Sequence, residues 1–183
     1  GIVCLGITVA LTGIAQAQGK PKPSQPASVS QTIGMKNVIT ITYHRPGVKG
    51  RNVWKDQSDN PRIGPLVPRD EDPRPWRAGA NNSTTIEFTE DVKIGGSDVP
   101  AGKYAIFMAP SDDEWTVIIS KGVAWGSFTY KKEDDVARVK AKPQDAAHQE
   151  WLMYGFDNAG AYSATAFLHW EKVKVSFEIS MDE

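Results

Sequence analysis

Short runs of alternating apolar and polar residues dominate this chain, and they predict β-strands. Residues 38–43 place Ile39, Ile41 and Tyr43 on one face, and residues 173–179 alternate just as strictly. No window keeps a helical period, and only residues 131–136 suggest a single helical turn. Further strands are predicted at 84–89, 104–109, 115–120, 136–141, 151–156 and 161–170, with 104–109 and 115–120 forming a hairpin.

This pattern of about eight to ten short strands, separated by Gly, Pro and Asn, predicts an all-β fold. We expect one antiparallel β-sandwich, jelly-roll-like, over residues 28–180. Residues 49–82 break the short spacing and hold five prolines. An ordered loop of that length is usually functional or packs as a layer of its own. We therefore expect it to fold over one end of the sandwich.

The first 17 residues resemble an export signal. Residues 1–15 are apolar or small, and Ala15-Gln16-Ala17 supplies a small-x-small cleavage pattern. We expect a signal peptide over 1–17, truncated at its start, with a retained membrane anchor as the alternative. Residues 18–27 are rich in proline and are predicted to be a linker. Cys4 lies in the signal, so the mature chain lacks cysteine, which suits the periplasm or exterior of a Gram-negative bacterium.

Composition narrows the classes of partner. The net charge of −1 argues against a nucleic-acid binder, because such proteins need a basic face to neutralise phosphates. The apolar share of 40% is ordinary for a soluble domain, and 183 residues bury enough surface to fold without a metal or disulfide. No cofactor is expected, and a small ligand is the favoured partner.

One half of the predicted ligand site is a cationic turn. Arg45, Lys49 and Arg51 surround two glycines, and arginine binds carboxylate, phosphate or sulfate in bidentate geometry. The alternative is that these side chains brace the loop by bonding to its carbonyls or to an acid of residues 70–72. The spacing does not match a phosphate-binding loop.

The other half follows the long loop. Trp76 offers an aromatic face, Arg77 a planar donor fork, and Asn81 both a donor and an acceptor. Such a set suits a sugar or another polar ring. The alternative is a tryptophan buried at the end of the sandwich, with Asn81 satisfying loop backbone.

Metal and catalytic sites find weak support. His44 and His169 occupy outward positions of their strands, and a carboxylate such as Glu87 is conceivable as a third ligand, but no metal-ligand spacing occurs. No nucleophile elbow and no His-Glu-x-x-His segment is present. A carboxylate- or metal-dependent hydrolase or lyase therefore remains an alternative without assigned residues. The acidic run at 133–135 is expected to be a solvated turn.

Several segments together resemble a known family. They are Arg45-Pro46-x-Val48-Lys49-Gly50-Arg51, Leu66-Val67-Pro68, Trp76-Arg77-Ala78-Gly79-Ala80-Asn81, Pro100-Ala101-Gly102-Lys103-Tyr104 and Glu114-Trp115-Thr116-Val117-Ile118. The chain resembles, over about residues 28–179, the exported domain of unknown function 2911 (DUF2911) of Bacteroidetes-like bacteria. The resemblance implies a signal-bearing, mostly β domain, and no activity or catalytic residue. Residues 55–65 and 69–75 depart from the family pattern.

These observations favour an exported module that binds a small polar or anionic ligand, possibly a carbohydrate. A periplasmic hydrolase or lyase, and a structural or interaction subunit of a surface assembly, are the alternatives.

Overall fold

β-Strands form most of the regular structure in the described part of this chain. The computed structural model describes residues 20–54, 74–123 and 126–183. The predicted signal peptide and the middle of the long loop lie outside these residues. In the described residues the strands are β1 (Gln25–Ile33), β2 (Asn37–Arg45), β3 (Thr85–Phe88), β4 (Val92–Ile94), β5 (Ser97–Val99), β6 (Gly102–Ala109), β7 (Trp115–Ser120), β8 (Asp135–Ala141), β9 (Gln144–Asp157) and β10 (Ser163–Ser180).

The strands form two antiparallel sheets. One has six strands in the order β1-β2-β3-β6-β7-β8, and the other has four in the order β5-β4-β10-β9. The predicted β6–β7 hairpin is present, with Phe107 opposite Ile118. The prediction of an all-β antiparallel sandwich is confirmed, whereas its jelly-roll detail stays a prediction. Among the described residues, no helix has the length and apolar character to cross a membrane.

The core lies between the two sheets because alternate residues of each strand point inward. In β2, Ile39 and Ile41 are fully buried and Tyr43 nearly so, as the alternation predicted. On the facing sheet, Val175 and Phe177 of β10 contribute in the same way. The intervening residues of β2, including Thr42 and His44, therefore point away from the core.

Three strands differ from the sequence prediction. The two strands predicted at 161–170 and 173–179 are one strand, β10, which begins at Ser163 and whose pairing with β9 shifts register between His169 and Val173. Glu171 has a φ of 57°, so a local bulge accommodates the break in alternation that suggested two strands. β9 begins seven residues before the predicted 151–156, at Gln144. β1 begins at Gln25, inside the predicted linker of residues 18–27.

A second, smaller apolar cluster covers part of the outer face of the six-stranded sheet. Ala105, Phe107 and Ile118 point outward there and are buried under Tyr130, whose ring meets that of Phe107 edge-on at 5.0 Å. Tyr130 lies between two short 3₁₀ turns, Gly126–Thr129 and Lys132–Asp134. Because both of its faces are covered, β6 has the continuous apolar run that the sequence displays.

Candidate functional site

The predicted cationic turn attaches β2 to β9. Arg45 donates from Nε to the carbonyl oxygen of Leu152 at 2.9 Å and from Nη2 to that of Trp151 at 3.5 Å. The backbone after β2 also pairs with β9, because Val48 N donates to Glu150 O at 2.8 Å. The Arg45 fork is thus used to join two sheets through β9 carbonyls.

Arg51 folds back onto its own loop. Its Nε donates to the carbonyl oxygen of Val48 at 3.0 Å, and its Nη2 donates to that of Gly47 at 2.5 Å. Lys49 has a φ of 50°, and its backbone N–H donates to Oε1 of Glu150 at 2.8 Å. That hydrogen bond is the main cause of the lowered pKa of Glu150. The Lys49 ammonium lies 5.8 Å from the centre of the exposed Trp151 ring.

The second predicted turn is braced in a similar way. Nη1 of Arg77 donates to the carbonyl oxygen of Asn81 at 2.7 Å, and Nδ2 of Asn81 donates to that of Ser24 at 3.0 Å. Tyr154 of β9 donates its hydroxyl to the carbonyl oxygen of Ala78 at 2.8 Å. Burial raises the pKa of Tyr154, so this donor stays protonated. Both turns are therefore anchored on β9.

Trp76 lies in the core, 5% exposed. Its ring stacks on that of Trp170 at 6.1 Å with an interplanar angle of 18°, and Trp54 meets both rings edge-on. Trp54 also meets Trp115 at 5.1 Å. Trp54 and Trp76 lie close to the two ends of the central part of the long loop, so this four-ring cluster fastens the chain on both sides of it to the sandwich.

We call these six residues the junction: Arg45, Lys49, Arg51, Trp76, Arg77 and Asn81. Each of its two turns contacts β9, through Arg45 in the first and through the carbonyl oxygen of Ala78 in the second. Its guanidinium groups, however, donate to backbone carbonyls, which is the bracing alternative. A ligand at these residues stays a prediction that no contact here supports.

A groove lies beside the junction, on the outer face of the six-stranded sheet. Its volume is about 290 Å³. Thr42 and Thr85, which are paired across β2 and β3, belong to its lining, and His44 and Ser83 each lie two residues beyond that pair. The name groove is used below for the space lined by these residues: Thr42, His44, Asn82, Ser83, Thr85, Lys103 and Val123.

Hydrogen-bonding side chains dominate the groove. It offers three hydroxyls, an amide, an imidazole and an ammonium, with no carboxylate among its lining residues. Burial, and next the charge of Lys22, lower the pKa of His44 from its ordinary value of 6.5, so the imidazole is neutral at pH 7. The Lys103 ammonium lies 3.9 Å from Glu87 and is about half exposed. The groove can therefore both accept and donate hydrogen bonds.

The sequence carried a signal for this groove. Thr42, His44 and Thr85 occupy the outward positions of strands whose inward positions were recognised as core, and Lys103 is outward in β6. Alternation alone does not tell which strands become neighbours. The pairing of β3 between β2 and β6 is what collects these residues, and that pairing is non-local.

The candidate metal ligands His44, His169 and Glu87, which were considered without being predicted as a site, do not come together. His44 and Glu87 lie on the six-stranded sheet, whereas His169 lies in β10 on the other sheet and bonds through Nε2 with the carbonyl oxygen of Ala147 at 2.9 Å. Each histidine points out from a different side of the sandwich. Over the ranges that the structure describes, no group of three or more His, Cys, Asp or Glu side chains is arranged to hold a metal ion.

A buried carboxylate corrects the expectation for the acidic run. The side chain of Asp135 is only 6% exposed, and its Oδ2 accepts hydrogen bonds from Tyr130 at 2.8 Å and Arg138 at 2.5 Å. Burial, then the hydrogen bond to Asp135, raises the pKa of Tyr130 to about 12. This trio holds the small apolar cluster in place, so Asp135 is structural rather than a residue of a solvated turn.

Comparison with known proteins gives a family and no function. A search of curated proteins and a search of solved structures each found no significant match. A family model described as a protein of unknown function, DUF2911, matches residues 24–179, which is most of the chain and agrees with the resemblance seen in the sequence. The chain belongs to the DUF2911 family.

Proposed function

We propose that this protein is an exported β-sandwich module that binds a small polar or anionic ligand in the groove. The observation that carries the proposal is the concentration of unlike hydrogen-bonding groups around one concave space: Lys103, His44 and the hydroxyls of Thr42, Ser83 and Thr85. Export is supported by the signal-like residues 1–17.

The size and charge of the groove favour a small ligand. A volume of about 290 Å³ is at the lower end for binding pockets, which suits a single sugar ring, a short carboxylic acid or a phosphate. Lys103 supplies a formal positive charge, and Lys22 lies near enough to influence His44. No carboxylate is among the lining residues, and the nearest one given for Lys103, that of Glu87, is 3.9 Å from the ammonium.

The junction supports the groove by fixing the backbone of two of its lining residues, Asn82 and Ser83. Asn82 and Ser83 follow directly after the turn that Arg77 closes onto Asn81, and Thr84 donates its hydroxyl to the carbonyl oxygen of Ala78 at 3.0 Å. These bonds fix the backbone from which Asn82 and Ser83 extend. The proposed ligand-binding residues thus move from the cations of the junction to the adjacent groove, whose shape the junction sets.

A matched pair of lysine variants tests the proposal. Lys103 in the groove and Lys140 on β8 lie on the same outer face, 3.9 Å and 3.8 Å from a carboxylate of Glu87 and Glu114 respectively. The melting temperature of the protein is measured with inorganic phosphate, citrate, glucuronate and glucose. We expect at least one probe to stabilise the wild type and Lys140→Ala, and to have no effect on Lys103→Ala.

Two results would overturn the proposal. One is that no probe raises the melting temperature of the wild type at millimolar concentration. The other is a stabilisation that Lys103→Ala and His44→Gln both retain in full, which would place the ligand elsewhere.

A further inference from the structure

The two sheets of the sandwich have four edges, and they differ in how they are protected. A sheet edge exposes unpaired backbone N–H and C=O groups, which can pair with a strand of another molecule. Natural β-proteins protect edges with charges, prolines, short strands or covering segments. The edges here are β1 and β8 of the six-stranded sheet, and β5 and β9 of the other.

Three edges are protected. β5 has only three residues. β8 carries Asp135, Arg138 and Lys140 within seven residues. β9 is long, but the segment after β2 covers its middle, since Val48 N donates to Glu150 O and Leu152 N donates to Pro46 O.

β1 lacks such protection. Its nine residues include no charged side chain, and its one proline, Pro26, lies near the start. In the part of the chain that the structure describes, its backbone pairs with β2 alone, and the nearest other backbone hydrogen bond is made by the next residue, Gly34, to Ala161 O. Side chains alternate between exposed and half-buried along the strand.

We infer that β1 is a dimerisation edge, and that its occupant is β1 of a second copy of this chain. The pairing is antiparallel, with the two-fold axis at Val29, the middle residue of the strand. Two six-stranded sheets then join into one continuous sheet. A two-fold interface requires a surface that complements itself, and a strand without charges meets this requirement because no like charges face each other within the paired strands.

The side chains of β1 match across this axis. On the core side, Val29 faces Val29 of the second copy. Val29 is half-buried against the core, and Val29 of the second copy covers part of its exposed surface. On the outer side, Ser28 faces Ser30 of the second copy. Ser30 already exchanges a hydrogen bond with Thr40 at 2.8 Å, so the hydroxyl row of β1 and β2 continues across the interface.

The ends of the paired strands bring together Lys22 and Lys36 of the second copy. Lys36 is ion-paired with Glu90 at 3.1 Å, which offsets its charge. One strand pair is a small interface, so we expect a dissociation constant on the order of micromolar rather than nanomolar.

The test is the molar mass of the purified protein by sedimentation between about 0.1 and 100 μM, a range that brackets the expected constant. We expect a concentration-dependent dimer. The double variant Ser28→Lys with Ser30→Lys places lysines directly opposite one another and is expected to weaken association at least tenfold. The control is Thr165→Lys with Ser176→Lys, which adds the same charge at outward positions of β10, a strand inside the other sheet, and it should associate like the wild type.

A monomer at every concentration overturns the inference, and so does a dimer that the β1 double variant leaves unchanged. A cysteine variant covers the case in which the lysine variants fail to fold. Val29→Cys, in a Cys4→Ser background, is expected to form an intermolecular disulfide under mild oxidation, because directly paired residues meet the Cα distance for a disulfide. Absence of that cross-link at 100 μM, about a hundred times the expected constant, contradicts the inference.

Discussion

The junction and the groove are neighbours that both carry cationic side chains, and these side chains are used differently. In the junction, the guanidinium groups of Arg45, Arg51 and Arg77 donate to carbonyl oxygens of the protein itself. In the groove, Lys103 is half exposed, with its nearest carboxylate partner at 3.9 Å. The difference indicates that residue type does not separate a brace from a binding group; what separates them is whether the donors are already bonded.

Removal of the Trp76 ring should have the largest effect on the junction. Trp76 is 5% exposed and packs on Trp54 and Trp170, so Trp76→Ala leaves a cavity and should lower the free energy of unfolding by about 3–5 kcal/mol. Denaturant unfolding measures this value. Trp151→Ala, at a ring that is 39% exposed, is the control and should cost less. Equal losses in the two variants would refute the structural role of Trp76.

Arg45 should show an intermediate effect. Arg45→Ala leaves two β9 carbonyl oxygens without their donor, and we expect a loss of about 2 kcal/mol in the free energy of unfolding. Arg45→Lys keeps the charge but not the planar fork, so it should recover less than half of the loss. Full recovery by lysine would mean that charge, as at an anion site, matters more than the two carbonyl bonds.

The smallest effect concerns the pH response of the groove. Because the pKa of His44 is lowered in the folded protein, the unfolded chain takes up a proton more readily as the pH falls below about 6.5. The wild type should therefore lose stability relative to His44→Gln between about pH 7 and 5. The measurement is thermal unfolding of both proteins across that range.

Ligand binding should respond to pH in the opposite direction. An anion stabilises the imidazolium form, so binding of glucuronate, whose carboxylate stays ionised across this range, should tighten as the pH falls, whereas binding of glucose should not. His44→Gln should remove the dependence. A parallel pH response in wild type and variant would show that His44 does not contact the ligand.

Much of the sandwich was predictable from local pattern. The strand at 115–120 is found at those residues, and 38–43 lies within β2, because each buries every second side chain in one shared core. β1 was missed because Ser28, Ser30 and Thr32 give it few apolar residues, and its proline-bearing start resembled a linker. β4 and β5 have three residues each, and a strand of that length is too short to show an alternating pattern of apolar and polar residues.

The site was predictable only in part. Arginine, tryptophan and asparagine beside a long loop drew attention to two distant turns, each of which contacts β9. Sequence could not decide whether Arg77 faces a ligand or the carbonyl of Asn81, because both uses require the same residue. The groove depends on β3 lying between β2 and β6, which is a property of topology and not of any one segment.

The most direct test of the account compares Arg45→Ala with Lys103→Ala in one experiment, the melting temperature with and without the best stabilising probe. We predict that Arg45→Ala melts at a lower temperature yet is still stabilised by the probe. We predict that the free energy of unfolding of Lys103→Ala is within about 0.5 kcal/mol of the wild-type value, and that the probe no longer raises its melting temperature. The reverse pattern, in which Arg45→Ala loses the response and Lys103→Ala keeps it, would contradict the assignment of the ligand to the groove.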